Sequence, residues 1–371
     1  MAIAVSEYER LAGQMLTLYE QAEAEMLGRV ARRLAKGVTQ AGWTEKKYSQ
    51  VQATRRELST LVDDLSSKRK VLATEFINTA YNGSAQEFAK WAGVSQLSQN
   101  FAKAASILSE LNNTLDAADR TILRQANDAY ANIVGRVSAK VATGTITVRQ
   151  AVKEEVEQFA NKGITSFVDK AGRCWEMSTY AEMATLTAIE KATVQGYTET
   201  MRSYGFDLAY ISTHVGACPL CAAWEGVVVS VSGESKEYPS LDDAIADGVF
   251  HPRCLHHLAT YYEGISHVQA RSQPREVEAP SKAFSVRAKQ RGLERSVRQW
   301  KRRMAAATDA EEERKAYAYV RAYQAKIREL REEYNSTTPE SYDWLPRKYW
   351  REGGRVKLSE QAKQLKPVSV R

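Results

Sequence analysis

Eight of the nine cysteine and histidine side chains in this 371-residue chain lie between His214 and His267, about a seventh of its length. The stretch opens HVGACPLCAAWEG and, about thirty residues on, reads HPRCLHHLATYYEG. It holds Cys218, Cys221 and Cys254 together with His214, His251, His256, His257 and His267, and Cys174 stands alone upstream. Thiolates and imidazoles are the ligands of a structural zinc ion, which wants four of them in a tetrahedron. Cys218-x-x-Cys221 has the spacing of a tight knuckle that supplies two. Cys254-x-His256 can supply the other two, since residues i and i+2 of an extended segment face one side. The expected zinc ligands are therefore Cys218, Cys221, Cys254 and His256, with His214 and His251 close enough to replace one. A metal clip would also close the loop between 221 and 254, in a region with little core of its own. The plainer alternative is a set of buried thiols and hydrogen-bonded imidazoles that hold the same loops without metal.

Two enzymatic patterns fit less well. Cys-Pro-Leu-Cys after a strand has the form of a redox dithiol, but Cys254 and the histidines have no place in that pattern. Zinc deaminases carry Pro-Cys-x-x-Cys with a His-x-Glu segment upstream; here Ala217 precedes Cys218, and His214 is followed by Val215-Gly216. There is no Walker-type glycine loop and no Ser/His/Asp spacing to support nucleophilic catalysis.

The elements that must position this cluster are mostly helical. Residues 5–36 repeat apolar side chains every three or four positions (Leu11, Met15, Leu18, Met26, Val30), one face of a helix that Lys36-Gly37 ends. A second run follows Trp43 through Leu58, Leu61 and Leu65 toward an expected turn at Asn82-Gly83. Residues 95–141 are again helical in pattern. The reading for 1–143 is an antiparallel helical bundle or an extended stalk.

Residues 144–269 read as a small α+β module. Thr147 to Gln150 fits a capping box. Ile164–Val168, Phe206–Ser212, Val227–Val231 and 257–262 read as strands, Asp169–Gly172 as a turn, and 179–203 as a helix. A short helix opens at Ser240 and closes at Gly248. Residues 270–281 form a linker. The region 282–371 holds two helices, about 283–306 and 309–335, with a capping box from Thr308 to Glu311 and an apolar seam of Val297, Trp300 and Met304 against Tyr317, Val320, Tyr323 and Ile327. From Pro339 onward the chain reads as irregular. The fold class expected is α+β, mainly α.

The net charge is +7 and unevenly spread: residues 270–371 hold 25 Lys and Arg against 14 Asp and Glu. A basic tail on a mildly acidic body points to a polyanion partner, nucleic acid first, through Arg287, Lys289, Arg291, Arg295, Arg298, Lys301, Arg302 and Arg303. The alternative is a solvated helix surface. No apolar run reaches eighteen residues and the mean hydropathy is −0.47, so no membrane partner is expected. MAIAVSEYERL lacks a basic n-region, so the chain is expected to stay in a reducing cytoplasm.

HVGACPLCAAWEG followed by YPSLDDAIADGVFHPRCLHH resembles the signature of the phage minor capsid protein 2 family, which is related to Mu-F type head morphogenesis proteins. The resemblance continues through GITSFVDKAGRCWEMSTYAEM and QRGLERSVRQWKRRMAAATD, covering roughly residues 140–330. The motif falls on His214, Gly216, Cys221, Trp224, Gly226, Cys254 and His256. It implies a non-enzymatic virion protein near the portal vertex, inside the capsid, acting in head assembly or in genome packaging and delivery. The partners so implied are the portal protein, other capsid proteins and phage DNA, with the host cytoplasm as the place of assembly. The family pattern also implies a second quartet, His214, Cys221, Cys254 and His256. The competing reading is a packaged metal-dependent or nucleic-acid-processing enzyme that uses the same cluster.

Overall fold

The computed structural model describes all residues except 1–4, 95–100, 169–171, 173, 214–215, 252–253, 255, 267–269, 278–280, 338–355, 369 and 371, and only the backbone of 5–8, 101 and 165–168. Long periodic runs give long helices. Helix α1 spans Val5–Ala35, α2 Trp43–Ser49, α3 Val51–Ala92, α4 Phe101–Ala142 and α5 Val148–Lys162. A short hairpin follows, β1 (Thr165–Val168) against β2 (Cys174–Glu176), and leads into α6, Met177–Ser203. The expected capping box is present: Thr147 Oγ1 accepts from Gln150 N, and the Gln150 side chain accepts from Thr147 N.

The expected turn at Asn82-Gly83 is a correction, because α3 runs unbroken through it. Local turn preference is weak beside tertiary packing. Here α6 presses on α3 so closely that a Cβ on Gly196 would lie 2.3 Å from Tyr81 O. A continuous helix is what gives α6 that flat surface.

Residues of α1, α3, α4, α5 and the first half of α6 share one apolar core, including Met15, Phe76, Ile133, Val152 and Ile189. The expected boundary at 143/144 lies in the turn between α4 and α5, and both helices belong to that core. Buried charge is paired inside it. Arg69 is fully buried, with Nε donating to Asp119 Oδ2 at 2.7 Å; Tyr19 donates to the other oxygen of the same carboxylate at 2.8 Å.

A second core starts within α6. Tyr197 and Met201 pack with Phe88, Trp224, Val229 and Leu258 around a three-stranded antiparallel sheet. Strand β3 (Leu208–Ile211) lies between β4 (Val228–Ser230) and β5 (Leu258–Thr260), with α7 (Pro219–Trp224) and α8 (Leu241–Ala246) in the connections. Ile211, the end of β3, pairs with Leu258, the start of β5. The segments after β3 and before β5 therefore emerge side by side.

The C-terminal helices α9 (Lys282–Ala305) and α10 (Ala310–Ser336) form the expected hairpin, with Val297, Val320 and Ile327 buried between them. Two details differ from the sequence reading. Asp309 is the N-cap of α10, accepting from Glu312 N, and Trp300 stacks on Tyr319 instead of Tyr317, with centroids 3.8 Å apart. A short helix α11, Glu360–Lys363, packs against α10.

Candidate metal centre

The cluster forms where the two segments emerge from the sheet. After β3, Gly216 takes φ 82°, a left-handed turn that favours glycine, and Cys218 then caps α7. Cys218 Sγ accepts from Cys221 N at 3.5 Å, and Pro219 sits in the first turn, where no N–H is missed. From the other side, Gly248 ends α8 against Leu220. Phe250 then has φ 58°, the one positive φ at a non-glycine among the described residues. Strain of this kind persists only where the surroundings enforce it, and the next residue is His251.

Five soft ligands meet. Cys218 Sγ lies 3.1 Å from His251 Nε2, Cys221 Sγ 3.6 Å from Cys254 Sγ, and Cys254 Sγ 3.3 Å from His256 Nδ1. The ligand atoms of Cys218, Cys221 and His251 lie within 4.8 Å of one another, and so do those of Cys221, Cys254 and His256. Cys221 is common to both groups. A tetrahedral zinc with sulfur at 2.3 Å would set its sulfurs about 3.8 Å apart, close to the Cys221–Cys254 separation. The donor set fits zinc.

Of the expected ligands, Cys218, Cys221, Cys254 and His256 are all brought to the cluster, divided between the two groups. His251, expected as a spare, joins the Cys218 side. His214 and His267 lie outside the described residues. His257 belongs to neither group; its Nδ1 is buried without a hydrogen-bond partner, and burial pushes its pKa down. Cys174 is exposed on β2 and takes no part.

The charge distribution favours an ionised pair. A hydrogen bond from Cys221 and, against burial, another from His256 pull the Cys254 thiol down to about 4. Burial alone would lower His256, but hydrogen bonds to Cys254 and Glu225 lift it to about 9. Cys221, sharing its proton with that thiolate in a buried position, is pushed far up. A cation entering here would displace these protons.

Spacing did not reveal three further residues. Glu225 Oε1 lies 3.1 Å from His256 Nε2, opposite the nitrogen that faces Cys254. Arg275 holds Glu225 in turn at 3.5 Å and donates to Ala222 O at 3.1 Å. A carboxylate on the far nitrogen of a metal-binding histidine fixes its tautomer and orientation. The signal for Glu225 was its place in Trp224-Glu225-Gly226, one helical turn after Cys221. Glu190 of α6 is the third. It is 8% exposed, Oε1 has no hydrogen-bond partner, and burial followed by the charge of Cys254 raises its pKa well above the usual range.

The basic residues of α9 are placed differently from the expectation of a polyanion face. Arg298 and Arg302 are buried, at 6% and 4% exposure. Arg302 reaches Glu176 at 3.0 Å and Glu23 at 3.8 Å; Arg298 lies 3.9 Å from both Glu20 and Glu176. Lys301 pairs with Glu20 at 3.2 Å, and Arg303 with Glu157. Arg287 lies against Gly216, and Arg291 over the Phe284 ring. Lys289 and Arg295 are the two of the eight that are exposed.

A model of phage minor capsid protein 2 matches residues 3–332. A protein named "Structural protein" from Lactococcus phage LL-H is 30% identical over 239 residues, covering 60% of this chain and 61% of the relative. The match thus spans about three-fifths of that relative's length. No solved structure matches significantly. With a family match that runs from α1 into the last turns of α10, this chain belongs to the phage minor capsid protein 2 family.

Proposed function

We propose that this protein is a structural component of a phage virion, a minor capsid protein whose sheet module is held together by one zinc ion. The observation that carries the virion role is the family match over residues 3–332. The motif segment around His214–His257 supports a position near the portal vertex, in head assembly or genome packaging and delivery, after synthesis in the host cytoplasm. Cross-linking of purified heads tests it. Links to the portal protein are expected; a chain absent from heads and present only in lysate overturns the reading.

The zinc would be held by Cys221, Cys254 and His256 with Cys218 or His251 completing the four. The convergence of both cysteine-bearing segments supports this, as does the Glu225–Arg275 support behind His256. When bound, zinc supplies a cross-link between the segment after β3 and the segment before β5. About one zinc per chain by elemental mass spectrometry is expected; metal-free protein whose thiols titrate only after unfolding overturns it.

The thiolate, imidazolium and carboxylate of Cys254, His256 and Glu225 also compose a nucleophilic triad. Among the described residues, Cys254 is 9% exposed with Cys221 3.6 Å from its sulfur, which leaves little room for a substrate. That favours the structural reading over a packaged enzyme. For phage DNA, the surplus of base in residues 270–371 supports contact through the exposed Lys289 and Arg295 of α9, since Arg298, Lys301, Arg302 and Arg303 already face carboxylates. Duplex binding that weakens with salt is the expected sign; salt-independent binding, or none, assigns the region to protein contacts.

A further inference from the structure

Helix α9 carries nine Lys and Arg and a single acidic residue, Glu294. Arg291, Arg295, Arg298 and Arg302 recur at intervals of four, three and four residues, so they form one stripe along the helix. The stripe is about 16 Å long, and it is covered unevenly. Arg295 is exposed, while Arg298 and Arg302 are buried. What covers the buried half is carboxylate. Glu20 and Glu23 of α1 and Glu176 of β2 face Arg298, Lys301 and Arg302, and Glu157 of α5 faces Arg303.

Charge, more than apolar contact, attaches the α9–α10 hairpin to the bundle. The apolar cluster around Val297, Val320 and Ile327 draws only on residues 293–356. Among the described residues, Ala306 is the hairpin's one member in the bundle's core. The ion pairs themselves are incompletely satisfied. Arg298 Nε and Glu20 Oε1 lie 3.9 Å apart, beyond hydrogen-bond reach, and neither atom has a hydrogen-bond partner among the described residues. Arg302 Nη1, 3.8 Å from Glu23 Oε2, has none either. A polar cleft of about 170 Å³ remains between α5 and the hairpin, lined among others by Lys153, Glu157, Trp300, Arg303, Glu312 and Lys315. Burying charge costs hydration that pairing of this kind returns only in part.

We propose that the arginine stripe of α9 is a covered polyanion-binding face, and that duplex DNA uncovers it by lifting the α9–α10 hairpin off α1 and α5. This rests on the DNA reading above. Lys289 and Arg295 are exposed and make the first contact. Phosphates then replace Glu20, Glu23, Glu157 and Glu176 as partners of Arg298, Lys301, Arg302 and Arg303. Counterions released from the duplex drive the exchange, and the freed carboxylates regain water. The chain just before α9 is held separately, with Arg271 N donating to Gly226 O at 2.8 Å and Arg275 N to Ala223 O at 2.9 Å. The hairpin therefore leaves the bundle without unpicking the sheet module.

The test uses the full chain and a short duplex DNA at low salt. A carbodiimide joins an amine to a carboxylate only where the two already touch. Lys153 of α5 lies 3.0 Å from Asp309 and 3.3 Å from Glu312 of the hairpin, so its cross-link to either reports the closed state. Lys191 and Glu110, 2.8 Å apart between α6 and α4, are the control. Duplex is expected to lower the Lys153 cross-link about threefold or more and to leave the control unchanged. Glu20→Gln/Glu157→Gln removes two competing carboxylates and should tighten duplex binding about tenfold. Asp63→Asn/Asp64→Asn makes the same change of charge on α3 and should leave affinity near the wild-type value. Duplex bound with the Lys153 cross-link undiminished overturns the proposal and leaves contact by Lys289 and Arg295 standing. Equal tightening by the two double variants also overturns it, since net charge then suffices. A chain that binds no duplex in either the wild type or Glu20→Gln/Glu157→Gln overturns both readings. Should that double variant not fold, Glu157→Gln alone, at a carboxylate 38% exposed, must tighten binding in the same direction.

Discussion

His256 makes two contacts that face opposite ways: Nδ1 toward the Cys254 sulfur and Nε2 toward Glu225. One nitrogen is left to bind and the other is committed to orientation. Glu225→Ala should weaken zinc binding about 10–100-fold, read by competition with a chelator of known affinity, with the melting temperature of the zinc-saturated protein little changed. Cys254→Ser should do more, removing a ligand of the buried group, and its melting temperature should fall whether or not zinc is supplied. The two cysteine-bearing segments were legible from spacing because knuckles and alternating strand positions repeat in sequence. Glu225 and Glu190 were not, since a glutamate carries no mark of what it will face. Arg298 and Arg302 misled for the same reason: basic helix positions look alike in sequence whether they meet solvent or Glu20, Glu23 and Glu176.

At the scale of elements, contacts between helices explain both the hits and the miss in the sequence reading. Repeats of 3.6 residues revealed α1, α3 and α4, while Asn82-Gly83 suggested a break that the packing of α6 abolishes. Gly196→Ala tests that contact. Its Cβ would meet Tyr81 O at 2.3 Å, a backbone atom that cannot swing aside. A loss of about 1–3 kcal/mol is expected from denaturant unfolding. A second test concerns the attachment of α9 to α1. Burial, against the pull of Arg302, raises Glu23 from 4.5 to about 7. The folded state therefore holds a proton that the unfolded chain has released. The stability this contributes is full below pH 4.5 and is lost as the pH rises through 7. Glu23→Gln should flatten the fall in unfolding free energy between pH 5 and 8, read by denaturant titration, by an amount on the order of 2–3 kcal/mol.

For the whole molecule, the expected fold class holds, mainly helical with a three-stranded sheet and a short hairpin, and its two larger apolar cores among the described residues meet on α6. Chelation should therefore act unevenly. Hydrogen exchange in Leu208–Ile211 and Leu258–Thr260 should quicken when zinc is withdrawn, while the amides of α3 and α4 keep their protection. Equal loosening of both would mean that the ion stabilises the molecule as a single unit. The division between the cores was hidden in the sequence because it falls inside one helix that runs unbroken through Gly196. Ile189 and Ala192 belong to the first core and Tyr197 and Met201 to the second.

That helix also limits how the gene can be shuffled. A crossover within the codons of α6 would join half of one relative's bundle face to half of another's sheet face, leaving two mismatched surfaces to be accommodated together. A crossover in the linker at 271–277 would cut few apolar contacts, although the incoming hairpin would still have to offer arginines to Glu20, Glu23 and Glu176. Chimaeras between family members should be recovered at the linker, carrying those charges along, and should be rare between Met177 and Ser203. Bundle and sheet module would then descend as one heritable block.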